Sequence, residues 1–322
     1  MAVDLLLIAL GLATLVLAGD LLVRGAVALA VRLGVPALIV SLTIVAFGTS
    51  APEMMVSVVA VLDGAPALAL GNVVGSNIAN ILLVLGLPAL LVRIRTDQSD
   101  CRKDYLFMLG TALLFIALAF AGPIRWPHAL LLLAVLAAMT ASQINAGLVF
   151  RARIALRDDE DIDLEPQPAQ MNGLRIAFLM AVGLVGLPLG AHFLVGGATG
   201  IARAFGISEA VIGLTLVAVG TSLPELATSL TAALKGRADV ALGNVIGSNI
   251  LNVLAILGVA GLVGPLPMPE QMLRFDLWVM LAVSLALGPF VFRGWPIGRR
   301  VGVVLVATYA AYVAALAMGV GQ

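Results

Sequence analysis

GTSAPE at residues 48–53 recurs as GTSLPE at residues 220–225, 172 positions further along the chain. The match extends without a gap over residues 34–86 and 206–258, where 27 of the 53 positions are identical. The identical positions include glycines and polar residues as well as apolar ones, and a shared apolar composition would not place those in register. The sequence therefore predicts two related halves.

The composition indicates a membrane protein. Of the 322 residues, 61% are hydrophobic and 11% are charged, whereas soluble domains carry about 25% charged residues. A spanning helix needs about 20 apolar residues, so the chain has room for roughly ten. The predicted fold is an all-α polytopic membrane protein with ten transmembrane helices. The helices are expected near 4–22, 36–62, 67–92, 105–122, 127–149, 174–199, 208–234, 239–263, 273–292 and 296–318.

The basic residues predict the orientation, because Lys and Arg concentrate in cytoplasmic loops. With both termini outside, 15 of the 18 basic residues fall in inside loops and 3 in outside loops. The two copies are five helices apart, and an odd number inverts the second copy. We expect a first half at 1–149 (repeat about 34–88), a cytoplasmic linker at 150–172, and a second half at 173–322 (repeat about 206–260).

The linker holds an acidic run at residues 158–163 that invites comparison with a calcium-binding loop. An EF-hand loop beginning at Asp158 requires a ligand oxygen at its fifth position and Gly at its sixth. The chain has Ile162 and Asp163 there, so a solvated connection between the halves is the favoured interpretation.

Two carboxylates are predicted near the centre of the bilayer, since Glu53 and Glu225 lie one turn from the midpoints of their helices. A central acidic residue costs about 3 kcal/mol on insertion scales and is usually functional. A protonated or internally paired structural Glu is the alternative. Pro52 and Pro224 each disrupt a helix, which is expected to free carbonyl groups around residues 46–49 and 218–221.

The surrounding oxygens favour a hard cation, and Ca²⁺ takes six to eight of them. Ser76 and Asn80 share a helix face, as their equivalents in the second copy do. The histidines, His128 and His192, lie outside the motifs and are interpreted as packing or interface residues. Two glutamates carry a charge of −2, which matches one Ca²⁺ or two Na⁺, and such mutual exclusion is the physical basis of antiport.

These motifs, with ALGNVVGSNIAN at 69–80 and ALGNVIGSNILN at 241–252, resemble the two alpha-repeats of the sodium/calcium exchanger family, of prokaryotic type. The resemblance covers both halves and the linker. It implies a calcium site formed by Glu53, Glu225, Thr49 and Thr221. It implies sodium sites formed with Ser50, Ser222, Ser76, Ser248 and the carbonyls of Ala46 and Ala218, with Asn80 and Asn252 at the centre.

Departures from relatives refine this expectation. Some relatives, including potassium-dependent ones, have Asp where this chain has Asn252, so potassium coupling is not expected. Proton/calcium exchangers carry an acidic residue after Gly-Asn, where this chain has Val73. The linker is too short for the large calcium-sensing domain of animal exchangers. No cofactor is expected, since Ca²⁺ and Na⁺ would be transported ions, and the expected location is the plasma or inner membrane.

Other functions are less favoured. A basic footprint for nucleic acid is missing, because 18 basic residues balance 18 acidic ones. An intramembrane protease would need a Ser/His pair, paired Asp or a zinc motif, and the sequence shows none of these. Exchange of calcium for protons remains an alternative because glutamates can take up protons. A passive channel also remains, although inverted repeats with a midplane site favour alternating access.

Overall fold

The computed structural model describes residues 2–98, 101–155, 171–205 and 218–318. The acidic run at 158–163 and the predicted first half of the seventh helix lie outside these ranges. Besides a short 3₁₀ turn at Thr96–Gln98, the described residues form ten helical elements and two isolated β-bridges. The elements are α1 (Ala2–Leu33), α2 (Ala37–Thr49 and Ala51–Leu62), α3 (Pro66–Leu91), α4 (Arg102–Ala121), α5 (Trp126–Ala155), α6 (Gly173–Ala204), α7 (described as Ala218–Thr221 and Leu223–Leu234), α8 (Ala238–Val263), α9 (Met272–Arg293) and α10 (Arg299–Ala317).

The prediction of an all-helical membrane protein is confirmed. Within the described ranges, eight helices are long and apolar enough to cross a membrane, and the bent pair of α2 makes a ninth. Whether α7 is a tenth span depends on residues 206–217. Three predicted boundaries were wrong: α1 continues to Leu33, α5 to Ala155 and α6 to Ala204. Arg24, Arg32 and Arg203 therefore lie on helices rather than in loops.

The helices that carry the two motifs are interrupted at matching places. The chain bends by 43° between the two parts of α2, at Ser50. Ser50 has φ −85° and ψ 5°, and Ser222 has φ −88° and ψ 5°. A proline follows each serine in the first turn of the new helix, where its missing N–H costs nothing.

A second matched irregularity lies on α3 and α8. Wider π-helical turns begin at Asn80 and at Asn252, covering Asn80–Val84 and Asn252–Ile256. Such turns inside α-helices are rare and are frequent at functional sites. Both asparagines are buried, so the irregular backbone faces the protein interior.

The core surrounds α3 and α8, whereas α1 and α6 pack lengthwise against each other. Glycines make that contact close. A β-carbon built at Gly190 would lie 2.9 Å from the Leu15 backbone nitrogen, and one at Gly183 would lie 2.7 Å from the Leu22 β-carbon. Any larger side chain at these glycines would separate the two helices.

Candidate ion-binding site

Glu53 and Glu225 are the centre of the site. Each follows a helix break by three residues, and their exposed fractions are 1% and 0%. Neither forms an ion pair with a described residue. The alternative of a Glu neutralised by a basic partner therefore has no support in the described part of the chain.

The hydrogen bonds to Glu225 come from both copies of the repeat. Ser50 donates a hydrogen bond to Glu225 Oε1 at 3.0 Å, and Ser248 donates to the same oxygen at 3.5 Å. Thr49 is fully buried, and its hydroxyl lies 3.2 Å from Asn244 Oδ1. Because Ser50 comes from one half and Glu225 from the other, the site is shared between the halves.

Several buried oxygens at this site have no hydrogen-bond partner. A buried acceptor without a partner costs about 1–3 kcal/mol, and a bound cation would satisfy several at once. The described buried oxygens of this kind are Glu53 Oε2, Glu225 Oε2, Asn80 Oδ1, Asn252 Oδ1, Ser222 Oγ and Thr228 Oγ1. All but the last belong to residues predicted for the site, so the donor set fits a hard cation.

The remaining predicted residues differ in their surroundings. Ser76 is buried, whereas Thr221 is only half-buried. The carbonyl of Ala46 was expected to be freed, but it accepts hydrogen bonds from Ser50 N at 3.0 Å and from the Thr49 hydroxyl at 3.3 Å. In the second copy Ser222 N donates to the Val219 carbonyl instead, so that hydrogen bond does not engage Ala218.

The sequence did not single out Asn72 and Asn244, which hydrogen-bond to the helical turns that carry Glu53 and Glu225. Asn72 donates to the Ser57 hydroxyl at 2.9 Å and to the Glu53 carbonyl at 3.1 Å. Asn244 makes the equivalent contacts with Ser229 at 3.1 Å and with the Glu225 carbonyl at 3.3 Å. Their identity between the two copies was the available signal, but the candidate set was limited to ligand positions.

The two sides of the site are packed differently. The Gly-x-x-x-Gly spacing was expected to allow close helix approach in both copies. Gly243 and Gly247 do lie against α2, since their built β-carbons would meet Ser41 at 2.9 Å and the Leu42 carbonyl at 2.6 Å. Gly71 and Gly75 have no described atom within 4 Å of such a carbon. Close packing therefore holds for α8, whereas the repeat equivalents of Leu38, Ser41 and Leu42, which would be placed opposite Gly71 and Gly75, lie outside the described residues.

The histidines stand apart from the site, as predicted. His128, at the start of α5, accepts a hydrogen bond from Arg125 N at 3.3 Å. His192 is exposed on α6, with its ring centre 6.2 Å from that of Phe193. The cation ligands available in the described structure are therefore oxygens.

Known proteins resemble this chain in sequence. A sequence model of the family described as sodium/calcium exchanger protein matches residues 3–145 and 175–318. The chain belongs to this family. Sodium/calcium exchanger MaX1 from Methanosarcina acetivorans is 35% identical, and the match covers 98% of each chain. Inner membrane protein YrbG from Escherichia coli is 38% identical over 96% of this chain and 95% of that protein.

The similarity extends to three dimensions. The sodium-calcium exchanger NCX_Mj, in a structure obtained with zero Na⁺ and Ca²⁺, superposes with a TM-score of 0.83 at 33% identity. The match covers 98% of this chain and 99% of that one. Membership in the sodium/calcium exchanger family makes this chain a membrane-spanning cation/Ca²⁺ exchanger.

Proposed function

We propose that this protein exchanges Ca²⁺ for Na⁺ by alternating access around the Glu53–Glu225 pair. The observation that carries the proposal is the pair of fully buried carboxylates with unpartnered oxygens, surrounded by unpartnered amide and hydroxyl oxygens. The ligand set of the proposal comprises Glu53, Glu225, Thr49, Thr221, Ser50, Ser222, Ser76, Ser248, Asn80, Asn252 and the carbonyls of Ala46 and Ala218.

Charge balance gives the exchange its obligatory character. Uncompensated charge in a low-dielectric interior is costly, so a site of charge −2 favours one Ca²⁺ or two Na⁺. A site holding both would carry excess positive charge. Ca²⁺ therefore has to leave before the Na⁺ sites fill, which couples the two fluxes.

Exchange of Ca²⁺ for protons is the second candidate. Both glutamates are fully buried and each has an oxygen without a partner, so protons could neutralise the pair in place of Na⁺. The missing acidic residue at Val73 argues for Na⁺.

The proposed topology has ten spans in two inverted halves, 1–149 and 173–322, with both termini outside and residues 150–172 cytoplasmic. It is supported by the matched helix breaks at Ser50 and Ser222 and by the distribution of basic residues. Interrupted helices at corresponding places in two halves are typical of transporters with a binding site between the repeats.

The test is calcium flux in proteoliposomes, with sodium, potassium and proton gradients applied in turn. We expect a sodium gradient alone to drive Ca²⁺ uptake at fixed pH. Glu53→Gln and Glu225→Gln should each abolish uptake, because a site of charge −1 cannot balance a divalent ion.

Glu270→Gln is the matched control, since Glu270 is exposed on the surface beside Arg274. It should transport as the wild type does. Wild-type rates in either site variant would show that the Glu pair is not the transport site. Uptake driven by protons and not by sodium would favour the second candidate.

A further inference from the structure

Asn77 and Asn249, which are not among the proposed ligands, hydrogen-bond to the proposed ligands Asn80 and Asn252. Asn80 donates from Nδ2 to Asn249 Oδ1 at 3.0 Å, and Asn252 donates from Nδ2 to Asn77 Oδ1 at 3.1 Å. All four side chains are buried. Each contact joins one half of the chain to the other, so side-chain amides on α3 and α8 are hydrogen-bonded to each other.

The partners determine which end of each central amide faces the site. An amide has an acceptor oxygen at one end and two donor hydrogens at the other. Asn249 donates from its own Nδ2 to the Asn77 carbonyl at 3.3 Å, so its oxygen is turned toward Asn80. Asn80 must then present its NH₂ group to Asn249, and its oxygen is left buried without a partner.

The opposite orientation would oppose cation binding. If the Asn80 amide were reversed, its oxygen would face the Asn249 oxygen and its NH₂ group would point into the site. Two acceptors would then face each other in the interior, and the positive end of the amide dipole would repel a cation. The same reasoning applies to Asn252 and its acceptor Asn77, whose own Nδ2 donates to the sulfur of Met280 at 3.6 Å.

We propose that Asn77 and Asn249 are positioning residues, which fix the Asn252 and Asn80 amides with their oxygens toward the ion and do not touch the ion themselves. This rests on the proposed function, because it takes the bound ion to be Ca²⁺. It assigns Ca²⁺ affinity to a hydrogen-bonded layer behind the ligands. A purely structural role for these two residues predicts lower stability with no specific link to Asn80 or Asn252.

A double-mutant cycle distinguishes these roles, with Ca²⁺ binding to purified protein measured by calorimetry at several Na⁺ concentrations. Asn249→Leu should weaken Ca²⁺ binding about tenfold, the equivalent of one hydrogen bond. In the background of Asn80→Ala it should cause no further loss, because the amide that it orients is gone. Asn249→Leu should change the competition by Na⁺ in the wild-type background and not in the Asn80→Ala background.

The symmetric cycle of Asn77→Leu with Asn252→Ala provides an independent test if the first set fails to fold. Equal losses of affinity with and without the central Asn would overturn the positioning role, as would unchanged affinity in Asn249→Leu. Failure of the wild-type protein to bind Ca²⁺ would instead overturn the proposed function.

A separate observation concerns an ion pair outside the site. Lys235, in the turn between α7 and α8, places Nζ 2.5 Å from Asp20 Oδ1 on α1. Arg24 lies 2.8 Å from the other oxygen of the same carboxylate. Next to Asp20, Gly19 packs against α7, since its built β-carbon would lie 2.9 Å from the Thr231 hydroxyl. The ion pair thus fastens α1 to the end of α7.

The repeat places a second complementary pair in the other half. Shifting by 172 residues takes Asp20 to His192 on α6 and Lys235 to Asp63 in the turn after α2. The acidic residue now stands in the turn and the basic type of residue on the helix, so an acid and a base again occupy the matching positions. Both residues are exposed, and neither forms an ion pair with a described residue.

We infer that Asp20–Lys235 and Asp63–His192 are two latches that engage in opposite states of the transport cycle. The inference rests on the alternating access of the proposed function. If inverted halves exchange conformations when the site changes sides, the contact that α1 now makes with α7 is then made by α6 with α2. The first latch opens as the second closes.

Disulfide crosslinking in a Cys101→Ser background tests this inference. The pair Asp20→Cys with Lys235→Cys should crosslink readily. The pair Asp63→Cys with His192→Cys should crosslink in ion conditions that lower the yield of the first crosslink. Each crosslink should stop exchange. Asp63→Cys with Leu189→Cys, one helical turn away, is the control and should crosslink at least about tenfold more slowly, as expected for cysteines that do not meet.

Sodium-driven Ca²⁺ flux is measured in the same preparations before oxidation. Flux without any crosslink between positions 63 and 192 would overturn the latch and leave the proposed function intact. Absence of flux in the wild type would overturn the proposed function and the latch with it.

Discussion

Equivalent glycines in the two halves should respond in opposite ways to the same substitution. Gly247 on α8 and Gly75 on α3 occupy the same place in the repeat. A β-carbon at Gly247 would lie 2.6 Å from the Leu42 carbonyl oxygen, 2.8 Å from the Ala46 β-carbon and 2.9 Å from the Leu42 α-carbon. At Gly75 no described atom lies within 4 Å.

The magnitudes follow from these distances. Two of the three contacts at Gly247 are with backbone, which cannot rotate away, so α2 and α8 must separate. Overpacking of this kind costs about 1–3 kcal/mol, and Ala recovers about 0.5–1 kcal/mol of helix propensity. We therefore expect Gly247→Ala to lower the free energy of unfolding by about 0.5–2 kcal/mol. Gly75→Ala should raise it by about 0.5–1 kcal/mol, because only the propensity changes.

Unfolding in mixed detergent micelles measures both variants against the wild type, and flux measurements extend the test. If the halves exchange conformations, the open face at Gly75 closes later in the cycle. Gly75→Ala should then slow exchange although it stabilises the resting protein. Equal stability changes in the two variants would refute the asymmetry that we describe, and a stabilised Gly75→Ala with wild-type turnover would refute its closure.

Three other results are expected. Asn252→Asp should shift coupling toward an additional cation or a proton, because it makes the site charge −3 and replaces the NH₂ group that faces Asn77 Oδ1 at 3.1 Å. Flux with and without potassium over a pH series measures this, and identical profiles would remove Asn252 from the ligand set. Ser50→Ala should reduce Ca²⁺ affinity about tenfold by removing a charge-assisted hydrogen bond to Glu225, and unchanged affinity would exclude that role. A cysteine at Asp63 should be labelled from outside the cell and one at Lys235 only from the cytoplasm, whereas labelling of both from one side would exclude the inverted topology.

The sequence predicted the parts of the molecule that follow from composition and repetition. Apolar length predicts membrane spans, and the repeated proline motif predicts a break before each Glu, where the structure has Ser50 and Ser222. Both features depend on local chemistry, which a single sequence contains. The buried position of Glu53 and Glu225 followed from the same reasoning.

What the sequence did not predict depends on contacts between distant segments. The π-helical turns at Asn80 and Asn252 arise where α3 and α8 pack together, and no local pattern marks them. The partners of Asn80 and Asn252 come from the opposite half, so pairing them required knowledge of how the halves meet. Helix α1 was predicted too short because Arg24 was taken as a loop residue, whereas it pairs with Asp20 one turn earlier on the helix.

Under the proposed function, sharing the site between the two halves would let it both hold and release its ion. Ser50 of the first half donates a hydrogen bond to Glu225 of the second, so in the proposed mechanism motion of one half against the other would change the ligands of the ion. On the α8 side, Thr49 is buried and Gly247 is packed against α2. On the α3 side, Thr221 is half-buried and Gly71 is exposed. Under the proposed alternating access, exchanging the packing of the two glycine pairs would move the open side of the site from α3 to α8.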